Sequence, residues 1–533
     1  MPSTTLSRGR VPAGDLSKRV SNKIKELPSS AKPKPSQHEL VTKETEDNQK
    51  SVKFREFFPK VKDKTFRWEG HFFLGPMGRD VQKVQTPYEN IVVLNSRLQD
   101  LLIQCQAQLK AYRLNQKVSS DPFTRPRNPD LNVKRQVSGL SKEMQDRWSD
   151  FPKSLTLLNG SQQKLIQTDL YLKEKVGVHK LAMFSSGIHD NPSKVSGYIG
   201  FLNILFLHDD IRIDSLAPQV YTEKNKGLLT ELHLNYMNLY DEVLHSFQPS
   251  WSKDTSPAYK ALVSHSKQVD SAFGQPFFLG DAIVRFANDV SKLILSLPDG
   301  QGQYAEMNMR REVNRYFLAC EEEFENKIKG SHASFLKETQ ADTIQSYLEI
   351  RRRNGAVAPC FEYVFLMHGL DIDVTQIPLM QQWQELRTLY VDHICIVNDM
   401  QSFPKESTET NPHNLVLILG AFHENLEEGF SISKNYLDSL IQDISTKKQA
   451  YFESLKALLI QDVLSTPIES TEISLDHLIE GIDKGSISIK PGQDLFDHIK
   501  NAYESILLME QWADGHIEWE YQMRSKRHDA ASA

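Results

Sequence analysis

The chain has 533 residues, 39% hydrophobic and 25% charged, with a net charge of −6. That balance suits a globular protein with a sizeable core, and the length is enough for several domains. The scattered Lys and Arg give no concentrated basic footprint, which excludes nucleic acid as the expected partner, and no uninterrupted apolar run reaches the roughly 18 residues that a membrane span needs.

Residues 1–66 differ from the rest. They hold 15 Lys/Arg against 8 Asp/Glu, are rich in Ser, Lys and Pro, and contain no aromatic residue before Phe54. Such a segment cannot bury enough apolar surface to fold, so a disordered basic arm is expected. It has no apolar signal core, and its Lys bias with early acids (Asp15, Glu26) does not fit a mitochondrial transit peptide, so a cytoplasmic location is expected. Residues 67–159 are expected to be an N-terminal helical addition. Within 88–117, Ile91, Leu94, Leu98, Leu101, Leu102, Cys105 and Leu109 recur at three- and four-residue spacing, and a polar loop with Pro122, Pro126 and Pro129 follows.

From residue 160 to 533 the helical period dominates. Helices are expected over 160–186, 194–210, 227–247, 279–297, 303–328, 334–351, 378–403, 432–460 and 494–525. No sustained alternation of β-branched and polar residues supports a strand, and Asn354-Gly355 sits between helical stretches rather than between strands. The expected architecture is therefore all-α. The four cysteines (Cys105, Cys320, Cys360, Cys395) lie far apart without a CxxC pair and read as reduced core residues.

Two clusters carry chemistry. The apolar run Tyr198–Leu207 ends abruptly in His208, Asp209 and Asp210, with Asp214 four residues beyond Asp210. Carboxylates this close repel one another, and a shared cation relieves the repulsion. The second cluster is Asn398-Asp399-Met400-Gln401-Ser402-Phe403-Pro404-Lys405-Glu406. Asn398, Ser402 and Glu406 recur every fourth residue and so share one helix face. All three offer oxygen, which suits a hard cation such as Mg²⁺ better than zinc or copper. Lys405 beside them can meet a phosphate as a point charge. Pro404 removes one backbone donor inside this motif, and a kink there would move Glu406 relative to Asn398.

Together the two clusters resemble those of class I terpene synthases of the fungal and bacterial kind. Asp209, Asp210 and Asp214 match the aspartate-rich motif in its longer-spaced form. The second cluster matches the second metal motif, with wording similar to that of trichodiene-type sesquiterpene synthases. Tyr347, Arg351, Asn354, Gly355 and Pro359 resemble the segment carrying the diphosphate-sensing arginine, which could be Arg351 or Arg352. Asn414-Leu415-Val416 resembles a stretch that follows the second motif, Trp512, Gly515 and Trp519 resemble the last long helix, and Arg527 matches the arginine of a C-terminal Arg-Tyr pair. His528 departs from that pair. The gaps from Asp209 to Asn398 and from Glu406 to Arg527, 189 and 121 residues, exceed the family's spacing, and insertions near 246–276 and 465–493 would account for them.

The resemblance implies one class I isoprenoid-synthase helical bundle over 160–533, with a deep apolar cavity and the two motifs facing each other across its mouth. It implies three Mg²⁺ held by Asp209, Asp210, Asp214, Asn398, Ser402 and Glu406, with Asp209, Asn398 and Glu406 central to catalysis. Arg351 or Arg352, Lys405 and Arg527 would hold the diphosphate, and Phe206, Tyr347 and Trp519 are the expected cavity aromatics. The implied partner is a prenyl diphosphate, with farnesyl diphosphate favoured. Cyclisation of geranylgeranyl diphosphate and an inactive helical scaffold are the alternatives, and a homodimer is compatible with the sequence. A chain-elongating prenyltransferase should carry a second aspartate-rich motif where this chain has Asn398–Glu406. Asp371-Ile372-Asp373-Val374 is not the acid motif of protonation-initiated cyclases.

Overall fold

A computed structural model of the chain describes residues 176–523, apart from 189–190, 210–224, 247–250, 274–277, 299–300, 330–334, 407–412, 424, 466–472 and 491–493. The basic arm, the N-terminal addition, Asp210, Asp214, Arg527 and His528 lie outside the described residues, as does the side chain of Lys405. Among the described residues the protein is all-α, with a single isolated bridge between Leu464 and Ile489.

The helices are α1 (Val178–Ser186), α2 (Pro192–Phe206), α3 (Lys226–His245), α4 (Pro257–Phe273), α5 (Gly280–Leu295), α6 (Gln303–Lys329) and α7 (Gln340–Asn354). There follow α8 (Val357–Met367), α9 (Met380–Glu406), α10 (Leu415–Phe422), α11 (Leu426–Leu458), α12 (Leu475–Asp483) and α13 (Leu495–Met523). Local chemistry sets many of the starts. Asn191 caps α2 by accepting from the Lys194 N–H at 3.1 Å, with Pro192 in the first turn where its missing donor costs nothing. Thr339 caps α7 through the Asp342 N–H at 3.1 Å, and Ser474 caps α12 through the His477 N–H at 3.3 Å.

Four of these helices, α4, α8, α10 and α12, are not among those expected. The segment 246–276, expected as an insertion and not contradicted in that, holds α4, which buries Leu262, Val269 and Phe273 and packs on α3. The segment 465–493, also expected as an insertion, holds α12, which buries Leu475, Leu478 and Ile479. The α8 and α10 helices lack the amphipathic stripe that marks a surface helix. Every residue of α8 is buried, so no polar face betrays its period. The expected helix over 334–351 starts later, at Gln340, where Thr339 supplies the cap, and it runs on to Asn354. The α9 helix continues through Pro404 to Glu406.

The core is a continuous apolar mass with an aromatic stack at one side. Phe201 stacks on Phe286 at 4.7 Å and on Tyr363 at 5.1 Å, joining α2, α5 and α8, and Tyr240 of α3 stacks on Phe286 at 5.1 Å. Close approach of helices demands glycine at two crossings. A Cβ on Gly515 of α13 would stand 2.3 Å from the Phe184 carbonyl of α1, and one on Gly429 of α11 would stand 2.3 Å from the Gly420 nitrogen of α10. These contacts bring α13 against α1 and fold α10 back on α11.

Between α7 and α8 the chain breaks. Gly355 is followed by Ala356 at φ 57°, a left-handed conformation that costs a non-glycine residue roughly 1–2 kcal/mol. The break turns the chain beside α9 and opens a cleft at that point.

Candidate active site

The cleft holds about 640 Å³, counted with its solvent-open mouth. Its apolar walls include Leu202, Leu205 and Phe206 from α2, Ile394 from α9, and Trp512 and Trp519 from α13. Asp209, Arg351 and Asn398 line it together with the helix break at Asn354–Val357. Asp209 and Asn398, 189 positions apart in the chain, therefore border one space. Asp209 follows the last turn of α2, in a short π-helical continuation over residues 207–209, and is partly buried. The apolar body of α2 is fixed in the core, so its end is a firm mount for that carboxylate.

The second cluster is held by an ordered polar network. Arg351 donates from Nη2 to Asn398 Oδ1 at 2.8 Å and from Nε to Asp399 Oδ1 at 3.1 Å. Tyr347 donates its hydroxyl to Asp399 Oδ2 at 2.6 Å, and the Leu415 N–H donates to the same oxygen at 3.1 Å. Burial pushes the Asp399 carboxyl up to about 6, against the opposing pull of the Arg351 guanidinium. Burial disfavours the Arg351 charge most strongly, but Asp399, Tyr347, Cys395 and Glu406 together outweigh it and keep the guanidinium protonated.

Asn414 ties the far end. Its Nδ2 donates to the Asp399 carbonyl at 2.8 Å, to Ser402 Oγ at 3.3 Å and to Glu406 Oε2 at 2.9 Å. Its Oδ1 accepts from the Val416 N–H at 3.0 Å and so caps α10. One amide nitrogen thus gathers the Ser402 and Glu406 oxygens toward one point. Among the described residues no group of three His, Cys, Asp or Glu side chains gathers as a metal site. The candidate ligands on α9 are instead an amide, a hydroxyl and a carboxylate, an all-oxygen set that fits a hard divalent cation.

The structure separates two arginines that the sequence left open. Arg351 faces the cleft, whereas Arg352 pairs with Asp392 at 2.6 Å and lines a different groove. Tyr347, expected in the cavity, lies fully buried behind it, where it serves Asp399. Phe206 and Trp519 do line the cleft, with ring centroids 6.1 Å apart.

Sequence reasoning did not single out His516 or Glu520, and it quoted Asp399 within the second motif without giving it a role. His516 lines the cleft, stacked on Trp512 at 5.6 Å, and Glu520 accepts from Asn398 Nδ2 at 3.3 Å. The spacing of His516 and Glu520 from Trp512 and Trp519 on α13 is a signal the helical period carries once Trp519 is assigned to the cleft side. Cys360 and Cys395 also border the cleft, and burial pushes each thiol up to about 12, so both remain neutral there.

Comparison with known proteins bears on the same region. Residues 275–443 match the family model described as terpene synthase family 2, C-terminal metal binding, a span that contains α7, the break and the whole second cluster. The chain is 24% identical over 172 residues to the bifunctional terpene synthase Agr4 of Cyclocybe aegerita, a match covering 32% of this chain and 48% of that protein. It is 28% identical over 139 residues to the (+)-eremophilene synthase of Sorangium cellulosum, covering 26% and 40%. The chain thus spans less than half the length of either relative. Among solved structures, the 2-methylisoborneol synthase of Streptomyces coelicolor in complex with Mg²⁺ and 2-fluoroneryl diphosphate aligns at a TM-score of 0.46 and 13% identity, over 74% of this chain and 93% of that one.

Proposed function

We propose that this chain, whose residues 275–443 match the terpene synthase family 2 model, is a Mg²⁺-dependent terpene cyclase. It ionises a linear prenyl diphosphate, with farnesyl diphosphate favoured, and closes the resulting cation to a sesquiterpene. The observation that carries this reading is the meeting of Asp209 with Arg351 and Asn398 around one apolar cleft.

Asp209 on one wall and Asn398, Ser402 and Glu406 on the other would hold the metal, with Asp210 and Asp214 as further candidates on the first wall. Bound Mg²⁺ would neutralise the diphosphate and stabilise the charge that develops as it leaves. Arg351 holds the diphosphate by charge-assisted hydrogen bonds, and Asp399 and Tyr347 fix the guanidinium in place for that task. Lys405 and Arg527 are the further diphosphate-binding candidates. Leu202, Leu205, Ile394 and Phe206 keep water from the cation, which would otherwise be quenched early. The faces of Phe206, Trp512 and Trp519 attract positive charge as it moves along the carbon chain.

Incubation of the purified full chain with Mg²⁺ and farnesyl diphosphate should yield cyclic C15 hydrocarbon or alcohol. Turnover of geranylgeranyl diphosphate alone would move the assignment to a diterpene cyclase, and no turnover with any prenyl diphosphate would leave a helical scaffold. Asp209→Asn and Asn398→Ala should each lower turnover at least about 100-fold, since metal-charge interactions are worth several kcal/mol. Thermal melting of both variants should match the parent, and near-parental activity in both would remove the assigned site.

A further inference from the structure

A second groove, of about 1040 Å³ with its open mouth, lies among α6, α7, α8 and α9 and shares no lining residue with the cleft just described. Five guanidiniums border it: Arg311 and Arg315 from α6, Arg352 and Arg353 from α7, and Arg387 from α9. Among the described residues only two carboxylates share the lining, Glu312 and Glu362.

Those two are stretched across three arginines. Glu312 accepts from Arg311 Nε at 3.0 Å and from Arg315 Nη1 at 3.4 Å, and it stands 3.9 Å from Arg387. Arg387 donates from Nη2 to Glu362 at 2.7 Å, while its Nε is buried with no hydrogen-bond partner among the described residues. A buried donor without an acceptor is costly, and such groups are rare unless a ligand or water serves them. Arg352 and Arg353 have carboxylates of their own in Asp392 and Glu322, each at 2.6 Å. Five cations against these four anions leave one positive charge in excess. The excess of N–H donors is larger, because Arg311 and Arg315 each bond through a single nitrogen and are about half exposed.

Part of the lining is apolar. Arg387 lies over the Trp383 ring at 6.0 Å, and Ala358, Pro359, Val374 and Val391 border the groove beside the polar Gln384 and Thr388. Hydrogen bonds to an anion gain strength against such a surface. A single carboxylate offers two oxygens, enough for one guanidinium fork, whereas a phosphoryl group offers three and carries more charge. The unused nitrogens of Arg311 and Arg315, beside the unserved Arg387 Nε, therefore favour a phosphoanion over a lone carboxylate.

We propose that this groove is a second anion site, which binds inorganic diphosphate independently of the metal cleft. The inference stands apart from the proposed cyclisation, since it uses none of that site's residues.

Calorimetric titration of inorganic diphosphate into the full chain, with EDTA present so that no metal bridges the anion, tests it. Saturable binding is expected, weakened at least tenfold in the Arg311→Ala/Arg315→Ala double variant and unchanged in Arg351→Ala. Circular dichroism confirms that the double variant is folded. Should it not fold, the single variants Arg311→Gln and Arg315→Gln should each weaken binding about threefold. No saturable binding to the parent chain, parental affinity in the folded arginine variants, or loss confined to Arg351→Ala would each overturn the proposal. Inorganic phosphate binding as tightly as diphosphate would overturn it as well.

Discussion

Asn414 ties together the far end of the motif it serves. It caps α10 with its oxygen and gathers Ser402 and Glu406 with its nitrogen. Asn414→Ala should cost about 1 kcal/mol through the lost cap, and it should reduce turnover at least tenfold because two ligand oxygens lose their common anchor. Melting curves and steady-state rates of the one variant check both effects. The sequence signalled Asn414 only as part of a resembling stretch. Its role depends on α10 returning beside α9, which no local period encodes. Asn398, Ser402 and Glu406 were legible because their spacing equals the helix repeat. The choice between Arg351 and Arg352 was not, because both sit in one turn and only their neighbours decide which way each faces.

Asp399 gives a titration with a definite sign. Burial raises its carboxyl to about 6 in the folded protein, against about 3.9 for an unfolded chain. Between those values the folded state binds the proton more tightly, so this group's contribution to stability falls as pH rises from about 4 to 6 and is level above that. Asp399→Asn should therefore flatten the pH dependence of the unfolding free energy in that window. Denaturant titrations at pH 4.5, 5.5 and 6.5 measure it, and an unchanged slope would contradict the assignment.

At the scale of elements, the helix count is where composition misled. The α4 and α12 helices went unread because Ser, Gly, Pro and charge flank them, yet each buries one apolar face. The opposite error arises at α8, where uniform burial removes the contrast between faces that marks a helix. Long amphipathic helices such as α6 and α9 were readable because one side of each stays wet. The crossing of α10 with α11 sets a sharper test. Gly429→Ala forces a methyl group into backbone atoms of Gly420, which cannot swing away as a side chain would. A loss of roughly 1–3 kcal/mol is expected, read as a lower denaturation midpoint with unchanged slope. Since α10 begins at Asn414, turnover should fall along with stability.

For the whole molecule, the described lining residues of the cleft run from Leu181 to Trp519. Deleting residues 1–66 should leave turnover within about twofold if the basic segment is a solvated tail. A large loss in a folded truncation would give the segment a part in the reaction. No helix among the described residues is long and apolar enough to cross a membrane. The all-α architecture of the described residues was legible in the helical period, whereas the meeting of residues 189 positions apart was implied only by the resemblance and rests on packing that no local pattern encodes.

Arg351 and Arg352 are consecutive, yet they serve two separate chambers. The last turn of α7 is in effect a partition with a different lock on each side. Removing one residue between Thr339 and Arg351 would rotate that turn by about 100° and hand each guanidinium to the wrong room. A deletion in this stretch would thus disturb both compartments at once, whereas an exchange of side chain could leave one of them intact.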